Sequence, residues 1–154
     1  MDEAVVAGAL TVAALNLAAA AIGAWVWWRG DVSGGLARGF WVALRVGQGS
    51  ALVLAIAVGS LAVAGHHPSE GLFYLYALLP LAVAFVAEQL RVVSAQTILD
   101  QRGLEGASEV GRLEQSEQHR LVAEVLRREL GIMTISAFVV AGLAVRAATT
   151  AHGF

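Results

Sequence analysis

Residues 4–28 read AVVAGALTVAALNLAAAAIGAWVWW, 25 positions without a charge. A bilayer hydrocarbon core about 30 Å thick is crossed by about 20 helical residues, so this stretch is long enough to span it. It predicts a transmembrane helix. A cleaved signal peptide would open on basic residues, whereas this chain opens Met1, Asp2, Glu3 and reaches its first basic residue at Arg29, so a retained helix is expected.

The same reading repeats further along. Uncharged runs cover 46–65, 71–87 and 130–145, the last two short and each continuing into polar sequence with helical periodicity. Of 154 residues, 58% are hydrophobic and 14% charged, with mean hydropathy +0.70, far from the average soluble domain. A net charge of −2 and pI near 6.0 give no reason to expect a nucleic-acid partner. The absence of cysteine excludes disulfides and thiolate metal sites.

All ten basic residues are arginines, and nine flank two of the connections: Arg29, Arg38 and Arg45 the first, and Arg91, Arg102, Arg112, Arg120, Arg127 and Arg128 the third. Arginine accumulates on the cytoplasmic side, so loops 1 and 3 are expected in the cytoplasm and both termini outside the cell membrane. Trp25, Trp27, Trp28 and Trp41 then lie at the inner interface, and Phe73, Tyr74 and Tyr76 at the outer one. The expected fold is all-α: an integral membrane four-helix bundle, up-down-up-down, with residues 1–154 forming a single transmembrane domain. Its spans cover roughly 4–28, 40–65, 71–90 and 128–149, and helices 3 and 4 extend as a cytoplasmic helical hairpin over roughly 91–127.

The hairpin is read from two amphipathic stripes. Leu90, Val92, Val93, Ile98 and Leu99 alternate with polar residues on one arm, and Leu121, Val122, Val125 and Leu126 mark the other, with Glu124 expected to pair with Arg128. Gly103, Gly106 and Gly111 are expected to break the chain between the arms. Within lipid, small residues four apart mark close helix contacts, which singles out Gly47, Ala51, Ala55 and Gly59. Their neighbours are expected to be the alanine-rich first helix and the Ala137, Ala141 row of the fourth. The same row could serve a homo-oligomer or a partner membrane subunit. Asn16 should make an interhelical hydrogen bond, and Pro80 should kink the third helix.

Two constellations could carry chemistry. At the cytoplasmic margin, Arg45 and Gln48 should meet Glu88 and Arg91, with Arg127, Arg128 and Glu129 at a similar depth. Ionisable residues there mark a pathway or binding site when they enclose water, and an excess of arginine suits phosphate or carboxylate. The structural alternative is an ion-paired collar rooting the hairpin. At the outer end, His66, His67 and Glu70 share one turn, with His152 on the same side, a donor set that suits zinc, copper or nickel but matches no standard spacing. No histidine lies inside a span, so axial haem ligation is not expected. The first functional class is a non-catalytic membrane protein that binds or conducts a small polar or anionic species through this arginine/glutamate vestibule. The second is an accessory or scaffold subunit working through the hairpin. The third is an intramembrane enzyme acting on a lipid or isoprenoid phosphate.

Overall fold

The structure is a computed structural model that describes residues 2–104 and 107–153. The described residues form five helices and no strand: α1 (Asp2–Arg29), α2 (Gly35–Val63), α3 (Leu72–Gln101), α4 (Ala107–Val110) and α5 (Gln115–Thr150). All except the one-turn α4 are long and apolar enough to cross a membrane. At 1.5 Å per residue, α3 with 30 residues and α5 with 36 run to about 45 and 54 Å.

The helix ends follow local backbone chemistry, with one departure from expectation. Gly65 (φ +85) and Gly103 (φ +67) adopt the left-handed conformation that closes a helix at little cost. Behind them the amides of His66 and Leu104 donate back to the carbonyls of Leu61 and Leu99, at 3.0 Å each. The first loop is shorter than its glycines suggest, since α2 begins at Gly35 rather than near Phe40. Glycine disfavours helix by roughly 1 kcal/mol per residue. Here that cost is outweighed by packing, because Ala37, Phe40 and Leu44 of the first α2 turns are fully buried. Helix α3 continues through Pro80, which is itself buried. Gly106, expected as a breaker, lies outside the described residues, and the short α4 occupies sequence expected to be irregular.

Helices α1 and α5 form the centre of the packing: α1 packs extensively against both α2 and α5, and α5 also carries α3, whereas α2 and α3 meet along a thinner seam and α2 barely reaches α5. Glycine makes these close approaches possible. A Cβ at Gly23 would overlap Thr134 Oγ1 and the Phe40 ring, so α1, α2 and α5 converge on a position with no side chain. Gly47 is covered by the Asn16 amide, whose Nδ2 donates to the Gly47 carbonyl at 3.2 Å and to the Val12 carbonyl at 2.9 Å. The interhelical bond expected of Asn16 is therefore present, joining α1 to α2, while its Oδ1 has no hydrogen-bond partner among the described residues.

The Asn16 layer divides the interior into two apolar clusters. One gathers Val5, Ala9 and Val12 with Leu54, Val58, Phe73, Val140 and Ala144. The other gathers Ala19, Ala20 and Val26 with Phe40, Leu44, Leu130 and Met133. In the small-residue row of α2, Gly47, Ala51 and Ala55 are buried, but Gly59 is exposed with open space beside it. The expected pairing of that row with Ala137 and Ala141 is not made, because α2 and α5 scarcely meet.

Beyond the interior, α3 and α5 continue side by side. Ile98 and Leu121 are buried, and Arg102 Nη2 donates to Glu124 Oε2 at 2.5 Å. Glu124 thus pairs across the arms rather than with Arg128, which has no ion pair among the described residues. At the opposite end, the Ser69 amide and hydroxyl both donate to the His152 carbonyl (2.8 and 2.9 Å), and the Gly153 amide donates to Asp2 Oδ2 at 3.0 Å.

Gly23→Ala is expected to destabilise the protein by about 1–3 kcal/mol, the range for overpacking a filled interior. Gly49→Ala and Gly59→Ala, where a Cβ meets open space, should leave stability within about 0.5 kcal/mol. Thermal unfolding in one detergent, followed by circular dichroism, measures all three.

Candidate functional site

The polar residues of α2 and α3 meet in the thin seam between them. Arg45 lies two residues from Gly47 on α2, and its Nη1 donates to Gln48 Oε1 at 2.7 Å and to Glu88 Oε1 at 2.5 Å. One turn along α3, Arg91 Nε approaches the other oxygen, Glu88 Oε2, at 3.2 Å. A single carboxylate is thus shared by two guanidinium groups. The Arg91 guanidinium also stacks 5.5 Å over the Trp41 ring, so α2 and α3 are joined twice, once by charge and once by cation–π attraction. Arg45 remains half exposed at 52%, against 27% for Glu88 and 29% for Arg91. Both Arg45 contacts use one terminal nitrogen, and the side chain borders a shallow, open stretch of the α2 surface with Trp41, Val42 and Val46.

Four of the seven residues expected at this site therefore come together: Arg45, Gln48, Glu88 and Arg91. Glu129 lies within electrostatic reach of Arg91 and Glu88, extending the cluster onto α5. Arg127 does not join it. Its guanidinium sits 5.5 Å over Trp27 on the α1/α5 side. Arg128 is exposed and unpaired with any described carboxylate. These two leave the cluster because α5 packs against both α1 and α3, and successive helical residues about 100° apart face different neighbours.

A second pattern accompanies the cluster. Arg29 stacks over Trp25 at 4.9 Å, Arg127 over Trp27 and Arg91 over Trp41, so three of the four tryptophans carry an arginine. The Trp25–Arg29 pair is four residues apart in one helix and is legible in the sequence; the other two join different helices and are not. Arg146, the tenth arginine, stacks 5.5 Å over Tyr76.

At the other end, the His66–Glu70 turn and His152 do lie close together, but through backbone groups. His67 Nδ1 is 3.0 Å from the Tyr74 hydroxyl, and among the described residues no three His, Asp or Glu side chains converge as a metal ion would require. His119 is exposed on α5.

Two grooves between helices are apolar. One of about 690 Å³ runs between α1 and α2 along Val5, Gly8, Val53 and Leu54; another of about 430 Å³ runs between α3 and α5. Comparison with protein-family models, curated proteins and solved structures finds no match to this chain.

A double-mutant cycle with Arg45→Gln and Glu88→Gln is expected to give a coupling energy of about 0.5–3 kcal/mol, as for residues in direct contact. The cycle Arg128→Gln with Glu124→Gln should give none beyond about 0.3–0.5 kcal/mol, because Glu124 is engaged by Arg102. Reversible unfolding in mixed micelles supplies both numbers.

Proposed function

We propose that the protein is a four-span, up-and-down integral membrane protein that binds a small anionic group at the α2/α3 seam, without catalysis. The membrane assignment is supported by four long apolar helices whose outward faces are also apolar: Val53, Ile56, Phe85, Ile135 and Phe138 are all strongly exposed. A protein in water would bury or replace such surface, whereas hydrocarbon solvates it. The arginine–tryptophan pairs favour placing the end of α1, the start of α2 and the Arg91 and Arg127 levels of α3 and α5 at the cytoplasmic interface, with loops 1 and 3 inside and both termini outside.

The observation that carries anion binding is Arg45. It is half exposed, uses one terminal nitrogen for its protein partners and faces open space beside Trp41, Val42 and Val46. Guanidinium recognises phosphate and carboxylate through paired N–H donors, and the free side of Arg45 offers such a pair. Binding is favoured over conduction because the interior between the helices is filled by Phe40, Leu44, Phe73 and Met133. Inorganic phosphate titrated into detergent-solubilised protein should bind, and Arg45→Ala should weaken binding about tenfold or more, the loss of roughly 1.4 kcal/mol expected for a charge-assisted contact. Unchanged affinity in Arg45→Ala would remove the reading. Phosphate-loaded liposomes should show no flux with either form.

A second reading, the scaffold subunit, is favoured by Val92, Val93 and Val122, apolar side chains left exposed on the arms that project past the arginine–tryptophan level. If the arms stand in water, such surface is suited to a docking protein. A cysteine placed at Arg112 should label only after the cells are opened; labelling in intact cells would reverse the proposed orientation.

A further inference from the structure

The groove between α3 and α5 has a chemical asymmetry that the α1/α2 groove lacks. Its α3 wall is Leu79, Ala82, Val83, Val86 and Leu90, and its α5 wall includes Ile132, Ile135 and Val139. On α5 those positions fall on one helical face, and the same face continues one turn earlier to Arg128, four residues before Ile132. From Val139 to Arg128 is eleven residues, about 16 Å, and from Leu79 to Leu90 is the same. Half the thickness of a bilayer hydrocarbon core is about 15 Å. The α3 wall therefore has the length of one leaflet, and Arg128 lies one turn beyond the end of the α5 wall.

We infer that this groove holds a phospholipid of the cytoplasmic leaflet with an anionic headgroup, one acyl chain lying between α3 and α5 and the phosphate at Arg128. The inference rests on the membrane placement proposed above but not on anion binding at Arg45. Any lipid-facing groove is filled by some acyl chain, and because hydrocarbon meets hydrocarbon there, the chain itself confers little preference. Selectivity must come from the headgroup end. Arg128 is suited to supply it because its intrahelical partner is taken: Glu124 is held by Arg102 across the arms, so Arg128 is exposed and without a carboxylate among the described residues. Neither groove has a basic residue in its own lining; the difference is that the α5 face of this one runs on to Arg128, whereas the α2 face of the α1/α2 groove, through Ser50, Val53 and Ala57, runs back to Val46.

The test is native mass spectrometry of the full chain released from nanodiscs of equal phosphatidylglycerol and phosphatidylcholine. Wild type should retain one phosphatidylglycerol, in preference to phosphatidylcholine. Arg128→Gln should reduce retention about fivefold, the contribution of one basic residue near an anionic leaflet, and Arg128→Lys should restore most of it. Ala82→Trp, which fills the groove from an exposed wall position, should reduce retention with Arg128 intact. Arg45→Ala should leave retention unchanged, which separates this site from the α2/α3 cluster. The proposal is overturned by equal retention in Arg128→Gln, by equal retention of phosphatidylcholine, or by release of the lipid with millimolar inorganic phosphate, which would mark a site for the free anion. Disulfide cross-linking of two chains through Ile135→Cys would overturn it too, since a second copy would then occupy the groove.

Discussion

The close approach of α1 to two neighbours at once is the constraint on which the remaining architecture depends. Backbones come together only where side chains are absent or small, and α1 offers Gly23 against Phe40 and Thr134, and Asn16 against the bare surface of Gly47. In the hydrocarbon surrounding proposed for these helices, where apolar side chains gain nothing by leaving solvent, such approach is the main source of helix association. With α2 and α5 both drawn to α1, and α3 held by α5, the α2/α3 seam is left as the least tightly packed side of the structure. That is where long polar side chains fit. Arg45, Gln48, Glu88 and Arg91 occupy the space that glycine and alanine close elsewhere, and their mutual contacts join the two helices that packing leaves apart.

The order of events in the sequence made much of this readable. Charge-free runs locate the four long helices, because a residue's cost in hydrocarbon depends mainly on its own chemistry. The shared carboxylate was legible for a related reason: Arg45 and Glu88 each border an apolar run, and helices joined by a loop as short as 64–71 bring such borders to one end. What sequence could not supply was rotation about each helix axis. Arg127 and Arg128 are at the expected level along α5, yet one faces Trp27 and the other is exposed. A period of 3.6 residues gives relative angles along one helix but not which neighbour a given angle meets.

The same limitation explains the partner of Glu124. Spacing alone offers Arg128, four residues away in the favourable order, but such a pair on a helix surface contributes only about 0.2–0.5 kcal/mol. A competing guanidinium presented from another helix needs little advantage to win, and Arg102 arrives at 2.5 Å because Gly103 ends α3 beside this turn of α5. The start of α2 shows the stronger version of the rule. Gly35 and Gly39 speak locally for a loop, and burial of Ala37, Phe40 and Leu44 overrides them.

On the proposed membrane placement, arginine position is what gives the molecule a direction. Hydrocarbon treats the two ends of an apolar helix alike, so a polarity has to come from charge and from the rings that sit at interfaces. Three arginines stack on tryptophans toward one end, whereas Arg146 stacks on a tyrosine from a different level of α5. Each stacked guanidinium keeps its charge while its flat face rests on an aromatic surface, a state stable where water and hydrocarbon meet. Arg45 and Arg128 differ from these: neither rests on a ring, and both are exposed. An arginine that stacks has its environment completed by the protein. Of the six arginines that rest on no described ring, Arg45 and Arg128 are set apart by place: one borders the open α2 surface beside the α2/α3 seam, the other lies one turn beyond the end of the α3/α5 groove, on a different side of the structure.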